Sequence, residues 1–80
     1  MPDKFDPSLM SRHAGREAQR ERIPTEMIKQ TYEDPDNTRL SEHDELREIR
    51  TRWFGEEGIE VVVDTTDGRV VSTGRRGLKP

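Results

Sequence analysis

The sequence predicts an α+β fold, with two N-terminal helices packed on a three- to four-stranded antiparallel β-meander. Three observations predict it. Met10, Ala14 and Ala18 recur every fourth residue early in the chain, which is the spacing of one helical face. Farther on, Ile49, Thr51 and Trp53 alternate with Glu48, Arg50 and Arg52, the period of a half-buried strand. Turn signals follow at Gly55-Glu56-Glu57-Gly58 and Asp67-Gly68, and both read as hairpins.

Each element has a local reason. Ser11 can cap a first helix over residues 12–22. Its apolar stripe is narrow and made largely of alanine, so another element can approach closely. His13 and Glu17 lie one turn apart beside that stripe. Ile23-Pro24 breaks the helix, and Pro24 with Glu26 suits the start of a second one. Met27, Ile28, Thr31 and Tyr32 mark its inner face, and Ile23 is placed to act as a staple between the helices. Asp34-Pro35 ends it, because the residue before proline is pushed from helical geometry. Residues 46–54 form a strand, and residues 59–63, with three consecutive valines, form the central one. Residues 70–73 pair with it, and residues 38–41 offer a further short strand. Residues 1–9 carry Pro2 and Pro7 and read as a flexible lead-in. The chain from Gly74 onward reads as frayed. One domain is therefore expected over residues 10–74, with a flexible tail over residues 75–80.

Composition narrows the function classes. Only 28% of the 80 residues are hydrophobic and 39% are charged, so a thin core or help from a partner chain is expected. The absence of cysteine excludes a disulfide scaffold and a thiolate metal site and suits a reducing cytoplasm. No stretch approaches the roughly 18 apolar residues of a membrane span, so a cytoplasmic protein without membrane contact is expected. A net charge of −3 argues against non-specific nucleic-acid binding.

Few residues carry candidate chemistry. His13 is the best acid or base, since an imidazole titrates near neutrality, and Glu17 could orient it. Arg50, Arg52 and Arg75 could neutralise phosphate. Alternatively, His13 simply packs or bonds at the helix start. His43 stands among Glu42, Asp44 and Glu45, yet no second histidine lies at a ligand spacing, so a solvated loop is expected and neither metal nor cofactor. Trp53 shares a strand face with Ile49 and reads as core. Phe54 then points the other way and becomes the candidate for partner binding. No glycine-rich phosphate loop or serine elbow is present, and Ser72 and Thr73 read as ordinary strand-end hydroxyls.

His13-Ala14, Ala18, Arg22-Ile23-Pro24, Met27-Ile28, Asp34-Pro35, Val61-Val62-Val63-Asp64 and residues 68–73 together resemble domain-of-unknown-function family 4258. The resemblance covers roughly residues 10–74. That family is similar to the barnase–EndoU–colicin–RelE group of compact α+β domains, which includes many RNA-cleaving toxins. The resemblance therefore implies helices on one face of an antiparallel sheet, a microbial or phage setting and a ribonuclease history. Typical members carry Arg and then Arg-Gly between the His-Ala and the Ile. Here those places hold Glu17, Glu21 and Arg22, while Arg16 and Arg20 sit one residue earlier as the remaining candidates for phosphate or RNA. Many members also continue into a basic, aromatic tail, and here only residues 74–80 follow.

Both departures turn the reading toward a small binding or regulatory domain of the toxin-like type with reduced or no catalysis. Its expected partner is a protein, an antitoxin or host factor, with RNA also possible. The alternatives are a metal-independent ribonuclease toxin and a homodimeric assembly module.

Overall fold

Ser11 opens the helical layer. Its hydroxyl accepts the Ala14 N–H at 3.0 Å, satisfying one of the donors a helix start leaves free. In the computed structural model, which describes residues 4–78, helix α1 spans Arg12–Arg20. It stops two residues earlier than expected because the chain reverses at Arg22. There φ is 55°, the Ile23 N–H bonds to the Ala18 carbonyl at 2.8 Å and the Arg22 N–H to that of Gln19 at 3.2 Å. This is the Schellman pattern, with arginine where glycine is usual. Helix α2 spans Thr25–Glu33 with Pro24 as its cap. Ile23 and Ile28, on either side of its start, are both buried, as a staple requires.

Four strands follow, β1 Asn37–Leu40, β2 Arg47–Phe54, β3 Glu57–Asp64 and β4 Val70–Leu78, in the order β1-β2-β3-β4 and all antiparallel. The β2–β3 turn is Gly55-Glu56. Gly55 has φ 69°, a value that suits the first position of a tight hairpin. The β3–β4 connection is a five-residue loop over residues 65–69, not the two-residue turn expected at Asp67-Gly68. The Asp64 carboxylate draws the loop in by accepting the Thr66 N–H at 2.9 Å, and its carbonyl accepts the Gly68 N–H at 2.8 Å.

Alternate residues of β3, Ile59, Val61 and Val63, are buried beneath the helices with Val70, Ala14, Ala18, Ile28 and Tyr32. Each large aliphatic side chain contributes about 1.5–3 kcal/mol by leaving water. Helix α1 packs along β4, and α2 along β3 and β2.

Three expectations are corrected. The register sets Arg50 opposite Val61 and Arg52 opposite Ile59, so these two arginines of β2 face the helices. Ile49, Thr51 and Trp53 take the other face with Glu60 and Val62, where no helix lies. Trp53 is therefore not core: it lies half-buried across from Gly58, where any Cβ would come within 2.9 Å of the indole. The expected lead-in is anchored. Phe5 is buried and meets Tyr32 edge-on at 5.5 Å, its N–H donates to Glu33 at 2.7 Å, and Pro7–Leu9 form a 3₁₀ turn. The expected tail is strand as far as Leu78, because Gly74, Arg75 and Arg76 pair with Glu60, Ile59 and Gly58. Of both segments, residues 1–3 and 79–80 lie outside the described residues.

Candidate functional site

Helix periodicity sets His13 and Glu17 one turn apart, and the packing of α1 on β4 carries Glu17 to the outer edge of that strand. His13 Nε2 stands 3.3 Å from Glu17 Oε1, with the imidazole side chain 71% exposed and the carboxylate 18% exposed. The same oxygen accepts the Ser72 hydroxyl at 2.9 Å and the Thr73 N–H at 3.1 Å. The imidazole–carboxylate contact anticipated from the spacing is thus present, and Ser72 joins it. Nothing in the sequence linked Ser72 to Glu17, because the two are 55 residues apart.

The cations expected beside this pair are elsewhere. Arg75 donates from Nε to the Glu21 carbonyl and from Nη2 to that of Arg22, both at 2.7 Å, and also pairs with Glu57. Arg52 donates to the Asp34 carbonyl at 2.6 Å and to its carboxylate at 3.1 Å. Arg50 bonds to the Tyr32 carbonyl and to Glu48, and its guanidinium lies 4.7 Å from the centre of the Tyr32 ring. Three arginines from the sheet therefore close the C-terminal ends of both helices, where unpaired carbonyls and the negative end of the helix dipole call for cations. Arg16 and Arg20 remain exposed on α1, one helical turn apart.

Catalysis at a phosphate needs an acid or base within reach of a held substrate and fixed positive charge on the phosphoryl oxygens. His13 and Glu17 line none of three concavities among the described residues, which are bounded instead by α1–α2 side chains, by the Phe54 end of the sheet and by Tyr32 with Arg50. Phe54 is half-buried on the helix side, packed against the core with the Arg52 guanidinium 5.7 Å from its ring centre. His43 lies in the exposed β1–β2 connection, its N–H held by Ser41 at 3.2 Å. Among the described residues no group of three His, Cys, Asp or Glu side chains is placed to hold a metal ion, and no helix is long and apolar enough to cross a membrane.

The uncovered sheet face, with Trp53, Ile49 and Val62, is what sequence reasoning missed. The signal that could have found it is Gly58, a residue without a side chain in the most β-prone part of the chain. Compared with known protein families, curated proteins and solved structures, the chain matches none.

Proposed function

We propose that this chain is a small protein-binding module of the toxin-like type its sequence resembles, acting in the cytoplasm without catalysis of its own. One observation carries this reading: Arg50, Arg52 and Arg75, the sheet arginines that could have neutralised a phosphate, are committed to helix carbonyls. Glu17 is likewise occupied in holding the edge of β4, and His13 faces solvent. The resemblance itself draws support from Arg22. Its left-handed φ of 55° falls where members of the resembled family carry glycine, the residue this conformation favours.

RNA cleavage tests the reading. Purified protein is incubated with total and ribosome-bound RNA in the presence of EDTA, beside a His13→Ala variant shown to be folded. Both are expected to leave the RNA intact. Discrete cleavage by the wild type that vanishes in the variant overturns it. That outcome would establish the second reading, a metal-independent ribonuclease, which the His13–Glu17 contact at 3.3 Å favours, with Arg16 and Arg20 on the same helix as the cations. The third reading, a homodimer, rests on the uncovered face around Trp53, and sedimentation at high concentration decides it.

A further inference from the structure

The two edges of the sheet are treated differently. The first half of the β4 edge is covered: Met10 bridges to Val70, the Ser11 N–H donates to the Val70 carbonyl at 2.9 Å, and Glu17 takes the Thr73 N–H. No described segment pairs with the outer side of β1, and all four of its residues are exposed. An open edge is a ready template for another strand, which folds ordinarily cover.

The ladder tells which groups β1 offers. The Ser41 N–H donates to the Arg47 carbonyl at 2.8 Å. By antiparallel alternation, Asn37 and Arg39 then turn their backbone groups toward β2, and Thr38 and Leu40 turn theirs outward. The Thr38 and Leu40 side chains share the helix side, opposite Arg50 and Glu48. Leu40 is 59% exposed and Leu46 is 55% exposed, the large apolar residues most open to solvent among those described. Thr65, whose hydroxyl donates to the Leu46 carbonyl, lines a cavity of about 550 Å³ together with Glu48, Tyr32 and Val63.

Charge names the partner. Residues 33–45, which contain β1, hold six carboxylates against the single arginine Arg39; Glu33, Asp34 and Asp44 face Lys29, Arg52 and Arg47, and Arg39 faces Glu60, so the excess negative charge falls on Asp36, Glu42 and Glu45. A polyanion is repelled there and a polycation attracted. We infer that β1 is a docking edge for a basic, extended segment of a partner protein. The segment adds as a fifth strand through the outward groups of Thr38 and Leu40. It lays aliphatic side chains on Leu40 and Leu46 and directs lysines or arginines to the flanking carboxylates.

This inference rests on the protein-binding reading and names the partner it would take. The probe is a short synthetic peptide alternating lysine and valine, titrated into ¹⁵N-labelled protein and followed by amide shifts and hydrogen exchange. Shifts centred on β1, with new exchange protection at Thr38 and Leu40, are expected. A peptide alternating glutamate and valine is expected not to bind. Thr38→Pro removes an outward N–H without breaking a bond to β2, so affinity should fall roughly tenfold or more with the fold retained. Leu40→Lys is expected to weaken binding likewise if the proline variant is poorly folded. The inference is overturned by shifts centred on Trp53, by equal binding of the acidic peptide, by undiminished affinity in both variants, by an RNA oligomer that perturbs β1 instead, or by no binding at millimolar peptide. RNA cleavage by a protein that binds the peptide at β1 would sink the non-catalytic reading alone. A silent β1 in a protein that cleaves nothing would sink this inference alone.

Discussion

Glu17 shows how one side chain can look catalytic and act structurally. A histidine one turn away and a serine hydroxyl are the surroundings of an acid–base pair, yet its oxygen also covers the outer edge of β4 by accepting the Thr73 N–H. Hydrogen bonds to a charged acceptor contribute about 1.5–3 kcal/mol, so Glu17→Ala should lower stability by about that amount. Glu17→Gln keeps an oxygen acceptor and should lose less than half as much. His13→Ala, at an exposed position, should stay within about 0.5 kcal/mol of the wild type. Urea denaturation of the three variants reads these differences. Equal stability of Glu17→Ala and the wild type would remove the structural role and return Glu17 to the list of functional candidates.

At the level of elements, Arg50 and Arg52 of β2 and Arg75 of β4 join the two layers. Arg75 spans the last carbonyls of the α1 terminus with a planar fork, and two of its nitrogens hold separate oxygens at 2.7 Å. Lysine carries a single point charge and cannot reproduce that geometry. Arg75→Ala is expected to cost about 1–2 kcal/mol, with Arg75→Lys recovering less than half of it. Thermal unfolding followed by circular dichroism measures both, and full recovery in the lysine variant would reduce the interaction to simple charge. These contacts also explain what the sequence could reveal. Helix α1 was legible from Ser11 and the alanine stripe, and β3 from its valines, since capping and periodicity act locally. The facing of β2 was not legible. Alternation defines two faces without saying which turns inward, and apolarity favoured Ile49 and Trp53. Arginine stems are long enough to pack on the core side while their heads reach helix ends, so the polar set won. The extension of β4 past Gly74 was hidden for a related reason. Arg75 and Arg76 have little strand preference of their own and are held by β3 and, for Arg75, by the end of α1. The candidate site was legible only in its intrahelical half, His13 and Glu17, because Ser72 and Thr73 arrive through tertiary packing.

The whole molecule balances many charges on a small core, which makes acid its natural stress. At neutral pH the 17 carboxylates oppose 14 lysines and arginines, and protonating them leaves the cations to repel one another. Two carboxylates add a specific linkage. The Asp6 carboxyl is held below its ordinary value of 3.8 by hydrogen bonds from Ser8, backbone first. The Asp64 carboxyl is held below the same value by the Thr66 hydroxyl and then its N–H, with Arg47 adding a smaller attraction. Each binds its proton less tightly folded than unfolded, so in acid the unfolded state takes up more protons and stability falls with pH. The contribution is complete above the unfolded value of 3.8 and is lost as pH drops through the lower folded values. Asp6 caps the 3₁₀ turn that leads into α1 and Asp64 anchors the β3–β4 loop, so protonation loosens the two ends of the helix-to-β4 seam together. Asparagine at both positions keeps an oxygen acceptor without titrating. The thermal midpoint of the wild type should exceed that of the Asp6→Asn, Asp64→Asn double variant at neutral pH, and the gap should close as pH is lowered from about 6 to about 2. Parallel curves across that range would mean that these two carboxylates are not linked to folding, and that acid acts on this protein through net charge alone.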